Sequence, residues 1–410
     1  MTTPPRKPSR IHWRDGNRIV LLHDGVEFFP ALCDAIDQAR SLVHMETYLF
    51  RLDDTGARVL EHLRGACERG VKVRVVIDGY GSADDAARIH RALEDMGAQC
   101  RIYRPEPTGL PRYWFRLGRL RRLHRKLALI DRHTAFVGGI NIVDDLDATL
   151  GADASPRFDF AVRLQGPIVV DVAGTMARLW LRFAWRRPDG WASFYARLGD
   201  WIGKRFRRQL RQALSFEPGA RAALLLRDNL RHRQTIENAY LRAIRHARTD
   251  IVLANAYFFP GHRLRVALAR AAARGVRVRL LLQGLPEYTI QYRACRAMYR
   301  KALDRGIEIH EYTASYLHAK VAVIDGQAMV GSSNLDPFSL LLAREANVFV
   351  DEAGFTDELR STLETALRTR ARRVTPQDLS KRSLAGRVLD DASYLLLRLG
   401  VTLTGRSAQF

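Results

Sequence analysis

The chain has 410 residues, long enough for two ordinary domains or for one large pseudo-symmetric unit. Its 47% hydrophobic residues exclude a disordered chain, and 66 basic against 44 acidic residues leave a net charge of +22. Such an excess directs the protein toward polyanions, either nucleic acid or an anionic membrane surface. No stretch reaches the ~18–20 uninterrupted apolar residues of a spanning helix.

The first residues, MTTPPRKPSR, have no apolar core, so a secretory signal is not expected and a cytosolic chain is. The segment AIDQARSLVHMETYLF (35–50) reads as a helix running into a strand. ACERGVKVRVVIDG (66–79) reads as a helix ending at Gly70 and a buried strand, and MGAQCRIYRP (96–105) adds a short strand. The same phrases return in the same order as AIRHARTDIVLANAYFF (243–259), AAARGVRVRLLLQG (271–284, with Gly275 at the helix end) and RGIEIHEYTA (305–314). Alternating helices and strands predict an α/β fold of two similar halves packed face to face. The expected organisation is a first domain over 1–190, a basic amphipathic linker over 191–221, a second domain over 222–370 and an amphipathic tail over 371–410. In the linker Ile202, Phe206 and Leu210 fall on one helical face, and in the tail a helix is expected over 392–399. Cys33, Cys67, Cys100 and Cys295 are scattered without a CxxC pair, so reduced thiols are expected and no zinc site or disulfide framework.

Each half carries one H-x-K-x-x-x-x-D segment. In HRKLALIDRHTAFVGGIN the residues are His124, Lys126 and Asp131; in HAKVAVIDGQAMVGSSN they are His318, Lys320 and Asp325. Residues i and i+2 of a strand share a face, so histidine and lysine are predicted to point together, with the aspartate seven residues on, at the turn. There Asp131 and Asp325 are expected to fix that turn more than to touch a substrate. Imidazole beside ammonium makes an anion site that contains a nucleophile, as a phosphodiester under displacement requires. Two facing copies supply two lysines for the phosphate, one histidine to attack phosphorus and one to protonate the leaving alcohol, without a metal or other cofactor. Each histidine needs a carboxylate on its other nitrogen, and each half offers one, Asp159 in DFAVRL and Glu345 in EANVFV. Asn141, Ser333 and Asn334, in the turns GGIN and GSSN, are candidates to orient the phosphate. Glu46 and Tyr48 in the first half, and Asn255 and Tyr257 in the second, are candidates to line the pocket. The remaining histidines, among them His23, His44 and His262, have no partner at catalytic spacing and are read as structural.

The two H-x-K-x-x-x-x-D segments with GGIN and GSSN resemble the signature of the phospholipase D superfamily, over nearly the whole chain. GSSNLDPFSLLLAREANV looks like the bacterial cardiolipin synthases, of the shorter kind without paired N-terminal membrane helices. The resemblance implies two phospholipase D-like α/β/α sandwich domains around one shared active site. It further implies phosphatidyl transfer between two phosphatidylglycerol molecules through a phosphohistidine, with release of glycerol. Family precedent makes His124 the nucleophile and His318 the acid and then the base; the residues alone do not break this symmetry. Phe338 and Ala343 depart from the residues that many members carry there, Arg and Asn. Gly139 replaces a serine, so the hydroxyls of Ser332 and Ser333 have no counterpart in the first half.

The superfamily also contains nucleases, so the charge alone does not choose the substrate. Before His124, GLPRYWFRLGRLRRL sets Arg112, Arg116 and Arg119 along one helical face, with Trp114 among interfacial aromatics. That composition suits a helix lying in a bilayer interface at the entrance to the site. The expected partner is an anionic phospholipid membrane, at the cytoplasmic face of a bacterial inner membrane, with phosphatidylglycerol as substrate and no nucleic acid. Hydrolysis of phospholipid is the alternative activity, and a nuclease that stacks bases on these aromatics is a further one. A non-catalytic anion-binding protein is a third class, disfavoured by two complete motifs.

Overall fold

The structure is a computed structural model that describes residues 11–106, 121–145, 155–184, 219–228 and 232–403. Its first seven strands are β1 (Arg14–His23), β2 (Leu42–Thr47), β3 (Lys72–Asp78), β4 (Gln99–Tyr103), β5 (Lys126–Ile130), β6 (Thr134–Gly138) and β7 (Phe160–Gln165). The second half adds β8 (Ala220–Arg227), β9 (Asp250–Asn255), β10 (Arg277–Gln283), β11 (Glu308–Tyr312), β12 (Lys320–Ile324), β13 (Gln327–Gly331), β14 (Glu345–Asp351) and β15 (Ala371–Val374). They form one ladder in the order β15-β11-β10-β9-β12-β13-β14-β8-β1-β7-β6-β5-β2-β3-β4. Read outward from its centre, β1-β7-β6-β5-β2-β3-β4 repeats as β8-β14-β13-β12-β9-β10-β11. The repeat seen in the sequence is therefore a repeat of topology.

Within each half, three parallel strands, β2-β3-β4 or β9-β10-β11, are followed by antiparallel neighbours. Helices cover the parallel part, as crossovers between parallel strands must. On the outer face of the first half, Phe29, Leu32, Val59, Leu63 and Ile89 from helices Asp24–Asp37, Asp54–Glu68 and Ala86–Asp95 pack on Val43, Val73 and Val75. Ile236, Tyr240, Leu264 and Leu268 do the same for the second half. A third cluster joins the halves: Val137 and Val162 meet Val330 and Val348, with Val172 and Met176 of helix Val169–Ala184 and Leu359 and Leu363 of helix Ala353–Thr369. Gly70 and Gly275 end their helices at φ of +79° and +88°, the left-handed turn their sequence position predicts.

The seam between the halves was not visible in the sequence. Strand β1 pairs with β8 through Arg14–Ala222 and Asn17–Ala220. Asn17 is buried at 2% exposure and donates from Nδ2 to the carbonyls of Arg14 and Ala220, while its Oδ1 accepts from the Ile168 amide. One side chain thus ties both central strands to the start of helix Val169–Ala184. At the far edge β15, just beyond the boundary drawn at 370, pairs with β11. The tail helix is longer than expected and runs over Leu384–Leu403. No helix among the described residues is long and apolar enough to cross a membrane. The four cysteines are free thiols.

Candidate active site

Strands β5 and β12 are buried along their whole length, and each begins at the motif lysine. The histidines therefore stand just ahead of the strands, not within them. A different contact holds each pair together: Lys126 Nζ donates to the His124 carbonyl at 2.9 Å, and Lys320 Nζ donates likewise to the His318 carbonyl. Each lysine is buried, and its ammonium is fixed against the backbone of its own histidine.

The histidines are suspended on opposite halves. The His124 amide donates to the Arg344 carbonyl at 3.0 Å, and its Nδ1 lies 3.0 and 3.1 Å from the two oxygens of Glu345. The His318 amide donates to the Phe158 carbonyl at 2.9 Å, and its Nδ1 lies 2.6 Å from Asp159 Oδ2. Two single parallel bridges, Leu123–Arg344 and Phe158–Leu317, carry the exchange. Because a carboxylate engages Nδ1, Nε2 is the nitrogen available for chemistry in both rings.

These groups perturb one another as a cluster. Burial lowers the His124 pKa against the pull of Glu345, with Lys126 and Lys320 adding to the fall. Burial and the Lys320 charge take His318 down to about 4, against Asp159. Burial brings Lys126 to about 7 and Lys320 to about 8, although Glu345 and Asp159 favour their charged forms. Burial pushes Asp159 up, but Lys320 and His318 outweigh it and hold the carboxyl below its usual range. At neutral pH the free site offers two oriented neutral imidazoles above buried amines near their titration point.

Of the other candidate residues, some converge here and some do not. Ser333 donates from its amide to Asn347 Oδ1 at 3.3 Å, whereas it is Ser332 that reaches the carboxylate, donating to Glu345 Oε2 at 2.6 Å. At the matching position in the first half, a Cβ on Gly139 would come within 2.3 Å of Asp159 Oδ1. The two departures from symmetry compensate: the long Glu345 is met by a hydroxyl, and the short Asp159 sits where a side chain would be. Asn141 Oδ1 accepts from the Leu49 amide at 3.3 Å, and Asn334 is buried with no partner for its Oδ1 among the described residues. The Tyr48 ring lies 4.7 Å from that of His124, and Lys126 Nζ is 5.2 Å from its centroid. Tyr257 donates to Glu287 at 3.0 Å, and Glu287 is paired with Arg157 at 2.7 Å.

Glu46 and Asn255 prove to be framework instead of pocket lining. Glu46 forms a buried ion pair with Arg125 at 2.6 Å, and Asn255 Oδ1 accepts from the Leu335 amide at 3.2 Å. Asp131 and Asp325 are likewise not in the catalytic cluster. Asp131 accepts from the amides of Arg40, Ser41 and Leu42, each at 2.8 Å. Asp325 accepts from the amides of Arg248, Thr249 and Asp250 at 2.8, 3.0 and 3.0 Å. Both cap the far ends of β5 and β12, as fixers of the turn. Asp131→Ala is thus expected to cost about 1–2 kcal/mol of stability in a thermal melt, through three backbone donors left to water. Turnover per folded molecule should stay at the parental level, and a folded but inert variant would return Asp131 to the chemistry. Arg112, Trp114, Arg116 and Arg119, with the linker face at 202–210, lie outside the described residues.

Sequence reasoning missed Arg157, Glu287, Tyr80 and Tyr288. Tyr80 and Tyr288 lie two and five residues beyond β3 and β10 and remain 48% and 53% exposed near the tyrosine of each half-site. Their unequal distances from the repeated strands left no signal in the repeat, which aligns Tyr80 with Leu285.

Comparisons with known proteins identify the family. The family described as cardiolipin synthase, PLD-like domain, matches residues 32–145 and 240–367. Cardiolipin synthase B of Escherichia coli is 38% identical over 376 residues, covering 91% of this chain and 86% of that protein. Cardiolipin synthase of Listeria monocytogenes is 30% identical, covering 93% of this chain and 75% of the relative. The solved phosphatidylserine synthase of Haemophilus influenzae shares the fold, with a TM-score of 0.64 at 13% identity over 95% of both chains. With two matched repeats and two complete half-sites, the chain belongs to the cardiolipin synthase family of phospholipase D-like enzymes.

Proposed function

We propose that the protein is a cardiolipin synthase, transferring a phosphatidyl group from one phosphatidylglycerol to the hydroxyl of another. The observation that carries the reading is the pair of imidazoles, each fixed through Nδ1, above two buried amines in one cluster. Lys126 and Lys320 hold the non-bridging oxygens of the phosphodiester. Nε2 of His124 attacks phosphorus, the bond to glycerol breaks, and His318 gives its proton to the departing oxygen. The bound phosphate and the ionised Asp159 restore to His318 the proton that burial withholds in the free site. In the second step the hydroxyl of an incoming phosphatidylglycerol loses its proton to His318 and attacks phosphorus. The bond to His124 breaks, and cardiolipin leaves. Asn141, Ser333 and Asn334 shape the phosphate-binding turns, and no metal takes part. The protein works as a peripheral enzyme on an anionic membrane, at the cytoplasmic face of a bacterial inner membrane, and the net charge of +22 supports that placement.

The test is incubation with vesicles of labelled phosphatidylglycerol in the presence of a chelator. Cardiolipin and free glycerol in equal amounts support the reading. Phosphatidic acid as the sole product assigns hydrolysis, and absence of lipid turnover overturns both. The pH profile supplies a further expectation. In the free enzyme Lys126 at about 7 and Lys320 at about 8 lose their protons in turn, so kcat/KM should fall as pH rises through this range. The corresponding limb of kcat should lie higher, because bound phosphate favours the ammonium forms. A kcat/KM flat across that range would remove the lysine clamp from the mechanism.

A further inference from the structure

A well-formed cavity among the described residues lies away from the histidines. It encloses about 460 Å3 beneath the tail helix Leu384–Leu403, within the size range of ligand sites. Its walls are apolar, with Phe258, Leu268, Leu280, Leu282, Met298 and Ile309 among them. Arg265, Lys301 and Arg305 also line it, the last two exposed, and none has a carboxylate partner among the described residues; Asp391 is the acidic neighbour. Tyr299, 2% exposed, stands in the wall with a hydroxyl that has no hydrogen-bond partner among the described residues. A polar atom of that kind calls for something to fill the space beside it.

The tail helix that roofs the cavity is apolar on two sides. Its inner side packs Tyr394 and Leu397 against Phe259 and Met298. Its outer side leaves Leu384, Val388, Leu395 and Leu399 between 55% and 75% exposed, with Leu389 and Leu396 beside them at 50% and 55%. Positions i, i+4, i+11 and i+15 make one continuous stripe. A smaller cavity shares Phe258, Leu282, Cys295 and Tyr299 with the large one, and is also lined by Tyr257 and Glu287. Only one layer of side chains therefore separates the large cavity from residues that flank His318.

We propose that this cavity is an acyl-chain site for an anionic membrane phospholipid, with its headgroup phosphate on Arg265, Lys301 and Arg305 and the outer leucines of the tail helix seated in the bilayer. Apolar walls suit the chain, the cations without a carboxylate partner among the described residues suit the phosphate (Arg265 is also hydrogen-bonded to Tyr394), and the exposed stripe sets the mouth at the surface from which the lipid comes. The site takes its lipid class from the function proposed above, but it does not depend on the histidines.

The experiment measures binding of phosphatidylglycerol with a fluorescent acyl chain, in parallel with turnover of a short-chain phosphatidylglycerol too small to need the cavity. Val266→Phe, which fills the cavity from its wall, should weaken probe binding about tenfold and leave short-chain turnover unchanged. Lys301→Glu with Arg305→Glu should weaken binding of the phosphatidylglycerol probe and spare a phosphatidylcholine probe. Leu396→Gln with Leu399→Gln should reduce co-flotation with anionic vesicles while the melting temperature holds. His124→Ala should bind the probe as the parent does. Probe binding unaffected by both the cavity and the charge variants, in a protein that turns lipid over, overturns the acyl site alone. Probe binding that responds to those variants, in a protein that turns no lipid over, supports the site and overturns the proposed reaction.

Discussion

Replacing His124 with alanine is expected to lower turnover of phosphatidylglycerol by about 10^4-fold or more, and His318→Ala by a similar factor. The two act as one unit, so the double variant should be little worse than either alone. In the proposed reaction they fail at different steps, however. With His318→Ala the nucleophile remains, and a phosphatidyl donor whose leaving group departs without a proton should still load His124. The loaded chain should then accumulate, because the base for the second step is gone. Acid quench and mass measurement of peptides would find the phosphatidyl group on His124. A group on neither histidine would end the covalent mechanism, and a group on His318 in the His124→Ala chain would exchange the two roles.

Asp159→Asn is expected to reduce turnover by about 10^2–10^4-fold, and Glu345→Gln by a comparable factor, since each leaves an imidazole without the acceptor that fixes its tautomer. Their effects should part on the same activated donor. Asp159 supports His318, with 2.6 Å between Oδ2 and Nδ1, so its loss impairs the proton donor that such a donor does not need. The first turnover of Asp159→Asn should then recover. Glu345 supports His124, and the defect of Glu345→Gln should persist whatever the leaving group. Equal recovery in both variants would contradict the crossed pairing, because it would mean that neither carboxylate serves the nucleophile.

Much of this site was legible before the fold was known, and the reasons for the gaps are physical. Histidine and lysine two apart before a buried strand is a local pattern, and the repeat showed that it occurs twice. Asp159 and Glu345 were legible as carboxylates at strand starts, but which histidine each serves depends on how the halves dock, and a repeat carries no information about docking. Arg157 and Glu287 were illegible for the same reason, being 130 positions apart. Glu46 looked like pocket lining because an acid at the end of a buried strand needs a partner; that partner, Arg125, stands inside the motif and faces the framework. Strand β1 escaped notice because its first half, Arg14–Asn17, is polar, and β15 because it is four residues long with two exposed arginines. Both are strands by virtue of a neighbour, not of their own periodicity.

The crossed suspension of the histidines bears on what happens while the chain is being made. The first motif is complete once residue 131 has been synthesised, more than 200 residues before Glu345. Yet His124 acquires its carboxylate only when Glu345 and the strand that carries it have emerged and docked. A truncated or half-translated product carries an imidazole with no fixed tautomer and a lysine with no second positive neighbour. The reactive centre is therefore assembled last, and only from the finished pair of halves.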